Sequence, residues 1–396
     1  MPSNRGERFA PIRPPRVRGM TIRFLHTADL QLGKRQDFAE GDAAAVLRTV
    51  RFETVERLYA LAIERDAAFV VIAGDVFEHA DLRPATVRRA FDAMRGSVPV
   101  YVLPGNHDPL TPSSTYRSRL WREECPSNVQ LLDARTPVEV APGVVLLPCP
   151  LFAKNTLGDT TAHLTADFGP ADAIRIGVAH GGLSTFRAGQ RAASGEPGVN
   201  LVDTLRADRA KLDYLALGDW HGLLRIDERT WYAGSPEPCR FQEDDSGSVL
   251  MVEIEGPGVA PRVAPHRVAG TRWSRWTRPL STAADVDRLD EQLDGIEDPA
   301  RHLLELTLEG RLPEQAMLAL DRLLERARDR LLHLRVDRSG LRTALRDDEI
   351  DALADHGWLG EVLTTLRGSD EARSEVDDAA LRLFRRVVGD VEVARG

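Results

Sequence analysis

The sequence is poor in cysteine and lysine and has no long apolar run. Its 396 residues include three cysteines, Cys125, Cys149 and Cys239, which are far apart and form no CxxC pair. This excludes a structural zinc site built on paired cysteines and favours a reducing compartment, so we expect a cytoplasmic protein. No apolar segment approaches the ~20 residues needed to span a bilayer, and the N-terminus lacks the apolar core of a signal peptide. We therefore expect no membrane attachment.

The charge balance is acidic. The formal net charge is -9, from 52 Lys and Arg against 61 Asp and Glu, and the lysines are Lys34, Lys154 and Lys211. This argues against a strongly basic coat for nucleic acid, although a local patch or a partner could supply positive charge. Residues 1–19 are rich in Arg and Pro without any period, which predicts a disordered basic arm.

Residues 20–270 alternate short apolar runs with helical patterns. Runs such as "AFVVIAGD" and "IRIGVAHGG" are continuously apolar, as in strands that are buried on both faces. Between the first two runs, Val50, Val55 and Leu58 fall on one stripe of a helix. The alternation of strand and helix predicts an α/β sheet with right-handed crossovers.

The pattern changes near residue 256. Residues 256–285 are rich in Pro, Gly and Arg and predict a connection between domains. A strand, an amphipathic helix and a second strand then predict a small βαβ domain over residues 271–345. Residues 346–396 predict a helical C-terminal segment. It packs on its own chain or docks on a partner through an apolar cluster of Leu353, Trp358, Leu359, Val362, Leu363 and Leu366.

Polar residues follow the ends of five predicted strands. They are Asp29, Asp75, the Asn106-His107-Asp108 run, His180, Asp219 and His221. Ligands of open α/β sheets bind beyond the carboxyl ends of the strands, so these side chains are expected to converge. Each one alone has an ordinary explanation as a helix cap or turn residue. Together, carboxylates, an amide and imidazoles predict a site for Mn²⁺, Mg²⁺ or Fe²⁺.

The order of these motifs resembles that of the calcineurin-like metallophosphoesterases. "FLHTADLQLG", "VVIAGDVF" and "YVLPGNHD" are similar to the SbcD-type branch of DNA-repair exonuclease subunits, and "YAGSPEP" resembles a stretch that follows the last motif there. The resemblance covers about residues 20–255. It implies a β-sandwich flanked by helices (α/β/β/α), followed by a small α+β capping domain and the helical C-terminal segment.

The resemblance also implies a centre of two divalent metal ions, most often Mn²⁺. Asp75 would bridge the ions. Asp29, the residue at 31 and His221 would complete one site. Asn106, His180 and the residue at 219 would complete the other. The family usually has histidine at both variable positions, whereas this chain has Gln31 and Asp219. Both exchanges replace nitrogen by oxygen, so we expect a weakened first site and a centre retuned towards Mn²⁺ or Mg²⁺, rather than an inactive relic.

Two further residues have implied catalytic roles. His107 would stand over the scissile phosphate and protonate the leaving oxygen, and Asp108 would orient His107 by a hydrogen bond. Glu78 and His79 follow "GDVF", where that branch often places a polar residue near the substrate, although a surface turn is the simpler interpretation at His79.

Three functions are compatible with the sequence. The first is a DNA exonuclease and endonuclease subunit that forms a homodimer and works with an SMC-like coiled-coil ATPase, as the resemblance implies. The second is a stand-alone phosphodiesterase or phosphatase on nucleotides or other small esters, which the acidic charge favours. The third is a non-catalytic scaffold that binds nucleic acid. Trp273 and Trp276, interleaved with arginines, predict either packing on the core or stacking on bases.

Overall fold

The computed structural model describes residues 21–185, 198–242 and 245–344. The predicted basic arm at 1–19 and the predicted helical segment at 346–396 lie outside these residues. The chain divides into two compact units, with the boundary between Arg272 and Trp273.

The first unit is built from short strands joined by helices. Its described strands are β1 (Ile22–Thr27), β2 (Val70–Ile72), β3 (Val100–Val102), β4 (Val129–Leu131), β5 (Val138–Ala141), β6 (Val144–Cys149), β7 (Ile174–His180), β8 (Gly182–Leu183), β9 (Leu201–Val202), β10 (Tyr214–Gly218), β11 (Leu224–Arg225), β12 (Thr230–Tyr232), β13 (Ser248–Ile254) and β14 (Arg262–Arg267). Its described helices are α1 (Gly41–Glu64), α2 (Pro84–Met94), α3 (Arg119–Glu124) and α4 (Arg206–Arg209).

Two six-stranded sheets form the body of the first unit. One has the strand order β14-β13-β1-β2-β3-β4, and the other has the order β11-β12-β10-β7-β6-β5. β1 to β4 run parallel to one another, as do β6, β7, β10 and β12. β13, β14, β5 and β11 each pair antiparallel with a neighbour. The carboxyl ends of the parallel strands therefore meet at one edge of each sheet.

Apolar side chains of the facing sheets meet in a central core. Phe24 of β1 stacks on Phe69 with 4.8 Å between ring centroids, and it meets Tyr214 of β10 edge-on at 5.7 Å. α1, α2 and α3 cover the outer face of the first sheet, where Trp121 is buried. α4 and the loop at Leu164 cover the outer face of the second. The expected sandwich of two sheets flanked by helices is confirmed.

The predicted connection over residues 256–285 is wrong in part. Arg262–Arg267 form β14, which extends the first sheet by pairing with β13. Arg272–Leu280 form β15, an edge strand in the sheet of the second unit. The prolines in these strands, Pro265 and Pro279, suggested a connection. Edge strands tolerate proline because some of their N–H groups need no partner in the sheet.

The second unit has a three-stranded sheet in the order β15-β16-β17, with β16 at His302–Leu312 and β17 at His333–Thr343. Its described helices are α5 (Ala283–Asp294) and α6 (Glu314–Arg330). β16 and β17 are parallel and joined by α6, as the βαβ pattern predicted. Trp276 packs against this unit's core, with Arg278 over its ring at 4.8 Å. In the described ranges, no helix is long and apolar enough to span a membrane.

A histidine is buried in the central core of the first unit. His26 of β1 is fully buried, and its Nδ1 lies 2.9 Å from the Tyr214 hydroxyl. The two rings meet edge-on at 5.6 Å. Burial lowers the pKa of His26 from 6.5 to about 3, because the charged imidazolium would lose its hydration. The folded protein therefore holds His26 neutral throughout the physiological range.

Because His26 is buried and neutral, we expect the free energy of unfolding to depend on pH. The His26→Asn variant should lack this dependence. The unfolded chain takes up a proton at His26 near pH 6.5 and the folded chain only near pH 3. The contribution of His26 is thus complete above pH 6.5 and is lost as the pH falls, by at most about 1.4 kcal/mol per pH unit. Urea unfolding from pH 8 to pH 5 should show the wild type losing its advantage over His26→Asn. A constant difference would contradict the prediction.

Candidate metal centre

Side chains from both sheets converge at the edge formed by the carboxyl ends of β1, β2, β3, β7 and β10. The residues at or just beyond these ends are Asp29, Gln31, Asp75, Asn106, His107, Asp108, His180, Asp219 and His221. Asp29, Asp75 and His180 form the centre of the group: each offers one ligand atom, and these atoms lie within 4.8 Å of one another. All three residues are at most 1% exposed. The convergence expected from the strand ends is therefore present in the fold.

The backbone at this edge is held in a conformation that non-glycine residues rarely adopt. φ is 54° at Asp29, 46° at Gln31, 54° at Asp75 and 97° at Asp219. Backbone hydrogen bonds help to hold two of these turns, since the Asp29 N–H donates to the carbonyl of Gly74 and the Gln31 N–H to that of Asp75. Strained backbone of this kind concentrates at functional sites, where the surrounding structure supports it.

Two glycines allow the site to close around its side chains. A Cβ at Gly74 would lie 2.1 Å from Nδ1 of His180, and a Cβ at Gly105 would lie 2.1 Å from Oδ1 of Asp75. These distances are far below van der Waals contact. The glycines of "AGD" and "PGNHD" are thus needed so that neighbouring strands can bring their ligand atoms together.

One half of the site surrounds His180. Its Nδ1 donates to the carbonyl of Ala73 at 2.8 Å, while Nε2 lies 2.7 Å from Oδ1 of Asn106 and 3.4 Å from Oδ2 of Asp75. An imidazole that donates one N–H to a carbonyl and turns its other nitrogen to a group of oxygens has the usual arrangement of a metal-ligating histidine. The carbonyl of Ala73 fixes the ring in this orientation.

The other half surrounds Gln31 and His221. Gln31 is 1% exposed; its Oε1 accepts a hydrogen bond from the thiol of Cys239 at 3.0 Å, and its Nε2 lies 3.1 Å from Nε2 of His221. His221 Nε2 is also 4.0 Å from the Asp29 carboxylate. The Asp219 N–H donates to that carboxylate, at 3.1 Å to the nearer oxygen. Here the amide nitrogen of Gln31, rather than its oxygen, faces the imidazole.

Burial and like charge strongly perturb the carboxylates. Burial raises the pKa of Asp29 to about 6, with Asp75 and Asp219 raising it further against the opposing effect of the two histidines. Burial alone would raise the pKa of Asp75 as well, but His180 and His107 hold it below its ordinary value. The same carboxylates hold the pKa of His180 well above its ordinary value, although burial opposes this. The buried carboxylates therefore favour positive charge beside them, whether on His180 or on a bound cation.

The predicted hydrogen bond from Asp108 to His107 is wrong. Asp108 is fully buried, and its carboxylate accepts from the N–H of Phe77 at 3.0 Å, from the N–H of Gly105 at 2.8 Å and from the Tyr116 hydroxyl at 2.5 Å. His107 instead donates from Nδ1 to the carbonyl of Glu78 at 3.0 Å. Asp108 follows His107 in sequence, but the turn directs their side chains to different neighbours, so Asp108 holds the loop and not the imidazole.

The side chains of Glu78 and His79 have different surroundings. The Glu78 carboxylate forms an ion pair with Lys34 at 3.1 Å and lies 3.9 Å from His107 Nδ1, whereas His79 is exposed. Glu78 is therefore next to the proposed general acid. Among the described contacts none links His79 to the site, in keeping with a surface turn.

Sequence reasoning missed several residues around the site. Cys239 and the buried Arg51 of α1 contact each other at 2.9 Å, and Trp220, between Asp219 and His221, is 51% exposed. Tyr116 was missed as the partner of Asp108. Cys239 directly follows "YAGSPEP", and Trp220 lies between Asp219 and His221, so both residues are next to positions that the sequence indicated.

Comparison with known protein families identifies the family to which this chain belongs. The family model described as calcineurin-like phosphoesterase matches residues 22–252, which is more than half of the chain. The chain belongs to this family and is a metal-dependent phosphoesterase.

Two curated relatives are more specific. Over 264 residues the chain is 26% identical to the DNA double-strand break repair protein Mre11 of Methanosarcina acetivorans, a match that covers 62% of this chain and 39% of that protein. Over 94 residues it is 31% identical to the protein of the same name from Archaeoglobus fulgidus, which covers 22% and 19% respectively. The matches span less than half the length of either relative.

The donor set fits divalent cations. Carboxylate and amide oxygens with imidazole nitrogens suit Mn²⁺, Mg²⁺ or Fe²⁺, and the crowding of Asp29 and Asp75 without exposure to water is relieved by a cation between them. Metal use is a property of the family.

Loss of the Tyr116 hydroxyl tests the role of Asp108 in holding the loop. Tyr116→Phe removes the 2.5 Å hydrogen bond to a buried carboxylate, so the free energy of unfolding at pH 8 should fall by about 1.5–3 kcal/mol. Tyr101→Phe is a matched control, because the described residues supply no hydrogen-bond partner for its hydroxyl. Equal stability of the two variants in urea unfolding would refute the role.

Proposed function

We propose that this chain is a metal-dependent phosphodiesterase that cleaves DNA as an exonuclease and endonuclease subunit. The buried Asp29–Asp75–His180 cluster at an edge shared by two sheets is the main support. These residues would hold divalent ions, which when bound would supply an activated water and charge neutralisation at the phosphoryl group. In this proposal Asp75 would hold both ions. Asp29, Gln31 and His221 would contribute on one side, and Asn106, His180 and Asp219 would contribute on the other.

His107 is proposed as the general acid. Its side chain is 31% exposed, so a substrate can reach it, and its Nδ1 is committed to the carbonyl of Glu78. Nε2 is then the nitrogen that meets the leaving oxygen and protonates it. The Glu78 carboxylate lies 3.9 Å from the same Nδ1, on the side of the ring away from Nε2.

DNA is favoured over a small ester by two observations. The relatives in the comparison are DNA double-strand break repair proteins. Trp220, half exposed between two proposed ligands, offers a ring on which an unpaired base can stack. Arg240 lies beside His221, with Nη2 3.4 Å from His221 Nδ1. A phosphate cleaved at the centre would place its neighbouring bases within reach of these side chains.

Partners follow from the resemblance alone. A homodimer and an SMC-like coiled-coil ATPase are proposed, with the apolar cluster beyond Asp347 as the docking element. That segment lies outside the described residues. A gene for a long coiled-coil ATPase beside the gene for this chain would support the pairing.

An assay with Mn²⁺ on 3′-recessed DNA, single-stranded DNA and bis(p-nitrophenyl) phosphate tests the function. We expect cleavage of all three, and loss of at least 10³-fold in activity in Asp75→Asn, because removal of a bridging carboxylate weakens both metal sites. Asp172→Asn, an exposed aspartate before the opposite end of β7, is the matched control and should retain activity. Cleavage of only the small ester would support the stand-alone phosphodiesterase. Absence of any cleavage would support the scaffold.

Trp220→Ala tests recognition of DNA. Stacking of a base on an aromatic ring contributes about 1–3 kcal/mol, so kcat/KM for single-stranded DNA should fall about tenfold. Activity on bis(p-nitrophenyl) phosphate, which has no base, should be unchanged, and Trp220→Phe should restore most of the loss. An equal loss on both substrates would show that Trp220 supports the metal centre instead.

A further inference from the structure

A chain of hydrogen bonds runs from α1 into the weaker half of the proposed metal centre. Arg51 is 3% exposed and donates from Nη2 to Sγ of Cys239 at 2.9 Å. The Cys239 thiol donates to Oε1 of Gln31 at 3.0 Å, and Nε2 of Gln31 lies 3.1 Å from Nε2 of His221. Four side chains from α1, the loop after β12, the loop after β1 and the loop after β10 are thus linked in series.

The direction of this chain follows from the chemistry of its members. A guanidinium has only donors, so the sulfur accepts from Arg51. Gln31 Oε1, at 3.0 Å, lies closer to the thiol than the Glu237 carbonyl and the Ser235 hydroxyl, which are both at 3.9 Å, and the shortest of these contacts takes the proton. With its oxygen bound to the thiol, the Gln31 amide turns its NH₂ group towards His221. Arg240 also approaches this ring, with Nη2 3.4 Å from Nδ1. A neutral imidazole accepts at one nitrogen alone, and the shorter 3.1 Å contact with Gln31 assigns that role to Nε2. An amide NH₂ cannot ligate a cation.

Arg51 also fixes the loop that carries Cys239. Its guanidinium donates to the carbonyls of Leu30, Glu237 and Pro238 at 3.2 Å, 3.4 Å and 3.0 Å. The Glu237 side chain is 2% exposed and accepts from the Thr54 hydroxyl at 2.6 Å and the Gly270 N–H at 2.7 Å. The loop that carries Cys239 is therefore held by a buried polar network, which keeps the thiol beside the Gln31 amide.

We propose that Cys239 is a positioning residue that holds Gln31 as a hydrogen-bond donor to His221, so that the two halves of the centre bind metal unequally. The inference rests on the proposed two-metal function. The half with Asp75, Asn106 and His180 retains its ion tightly, because His180 is already fixed as a ligand by the Ala73 carbonyl. The half with Gln31 and His221 binds its ion weakly and exchanges it, because one ligand position is filled by an N–H group that also competes for the His221 nitrogen.

Metal stoichiometry tests the proposal without any assay of activity. The full chain is dialysed against Mn²⁺ and then against metal-free buffer, bound Mn²⁺ is counted by elemental analysis, and affinities are measured by titration calorimetry. We expect the wild type to retain one ion and to bind a second at least tenfold more weakly. Gln31→His should tighten the second ion about tenfold or more, since it replaces an N–H donor with an imidazole ligand.

Variants at Cys239 separate positioning from structure. Cys239→Ala removes the donor to Oε1, so the amide can turn its oxygen to the metal, and the second ion should bind at least threefold more tightly. Cys239→Ser keeps a donor and should behave as the wild type, as should Cys125→Ala, a cysteine at the end of α3. Retention of the first ion in each variant shows that the site is folded.

Two results would overturn the proposal and leave the proposed function intact: two ions of equal affinity in the wild type, or a second-ion affinity that is the same in Cys239→Ala and Cys239→Ser. Failure of the wild type and of Gln31→His to bind any Mn²⁺ would overturn both this proposal and the metal-dependent function.

Discussion

Burial of two carboxylates side by side is the constraint on which this site depends. Asp29 and Asp75 lie with His180 within 4.8 Å, almost fully removed from water. Such an arrangement of like charge is costly unless a cation compensates it. The left-handed turns, the glycines at 74 and 105 and the backbone hydrogen bonds between neighbouring loops all serve to hold these groups in place. A divalent cation bound at this site would compensate the energetic cost of the strained turns and of the buried charge.

Different groups orient the histidines in the two halves of the site. On one side a backbone carbonyl, from Ala73, orients His180. On the other side Gln31 lies between Cys239 and His221, and Cys239 is itself held by Arg51 from α1. A carbonyl leaves the second imidazole nitrogen available for metal, whereas the amide directs an N–H group at the imidazole. The same family framework therefore supports two unlike environments a few ångströms apart.

Periodicity predicted most strands and helices of the first unit, whereas the packing of two sheets into a sandwich was implied by the family resemblance. Continuous apolar runs such as Ile174–His180 identified buried parallel strands, and the stripe on α1 identified its packed face. The error lay in the segment from 256 to 285, where proline and arginine suggested a connection although β14 and β15 are present. Edge strands have one unpaired side and weaker apolar patterning, so composition alone does not distinguish them from loops.

The sequence by itself determined which chemical groups reach the functional edge, because the order of strands along the chain assigns each polar residue to a strand end. It did not determine hydrogen-bond partners. Asp108 follows His107 in sequence, but its carboxylate accepts a hydrogen bond from the hydroxyl of Tyr116, eight residues further along the chain. The orientation of the Gln31 amide depends on a hydrogen bond from the thiol of Cys239, which is 208 residues away in the chain. Hydrogen bonds depend on direction and on separations of about 3 Å, which only the packed tertiary structure sets.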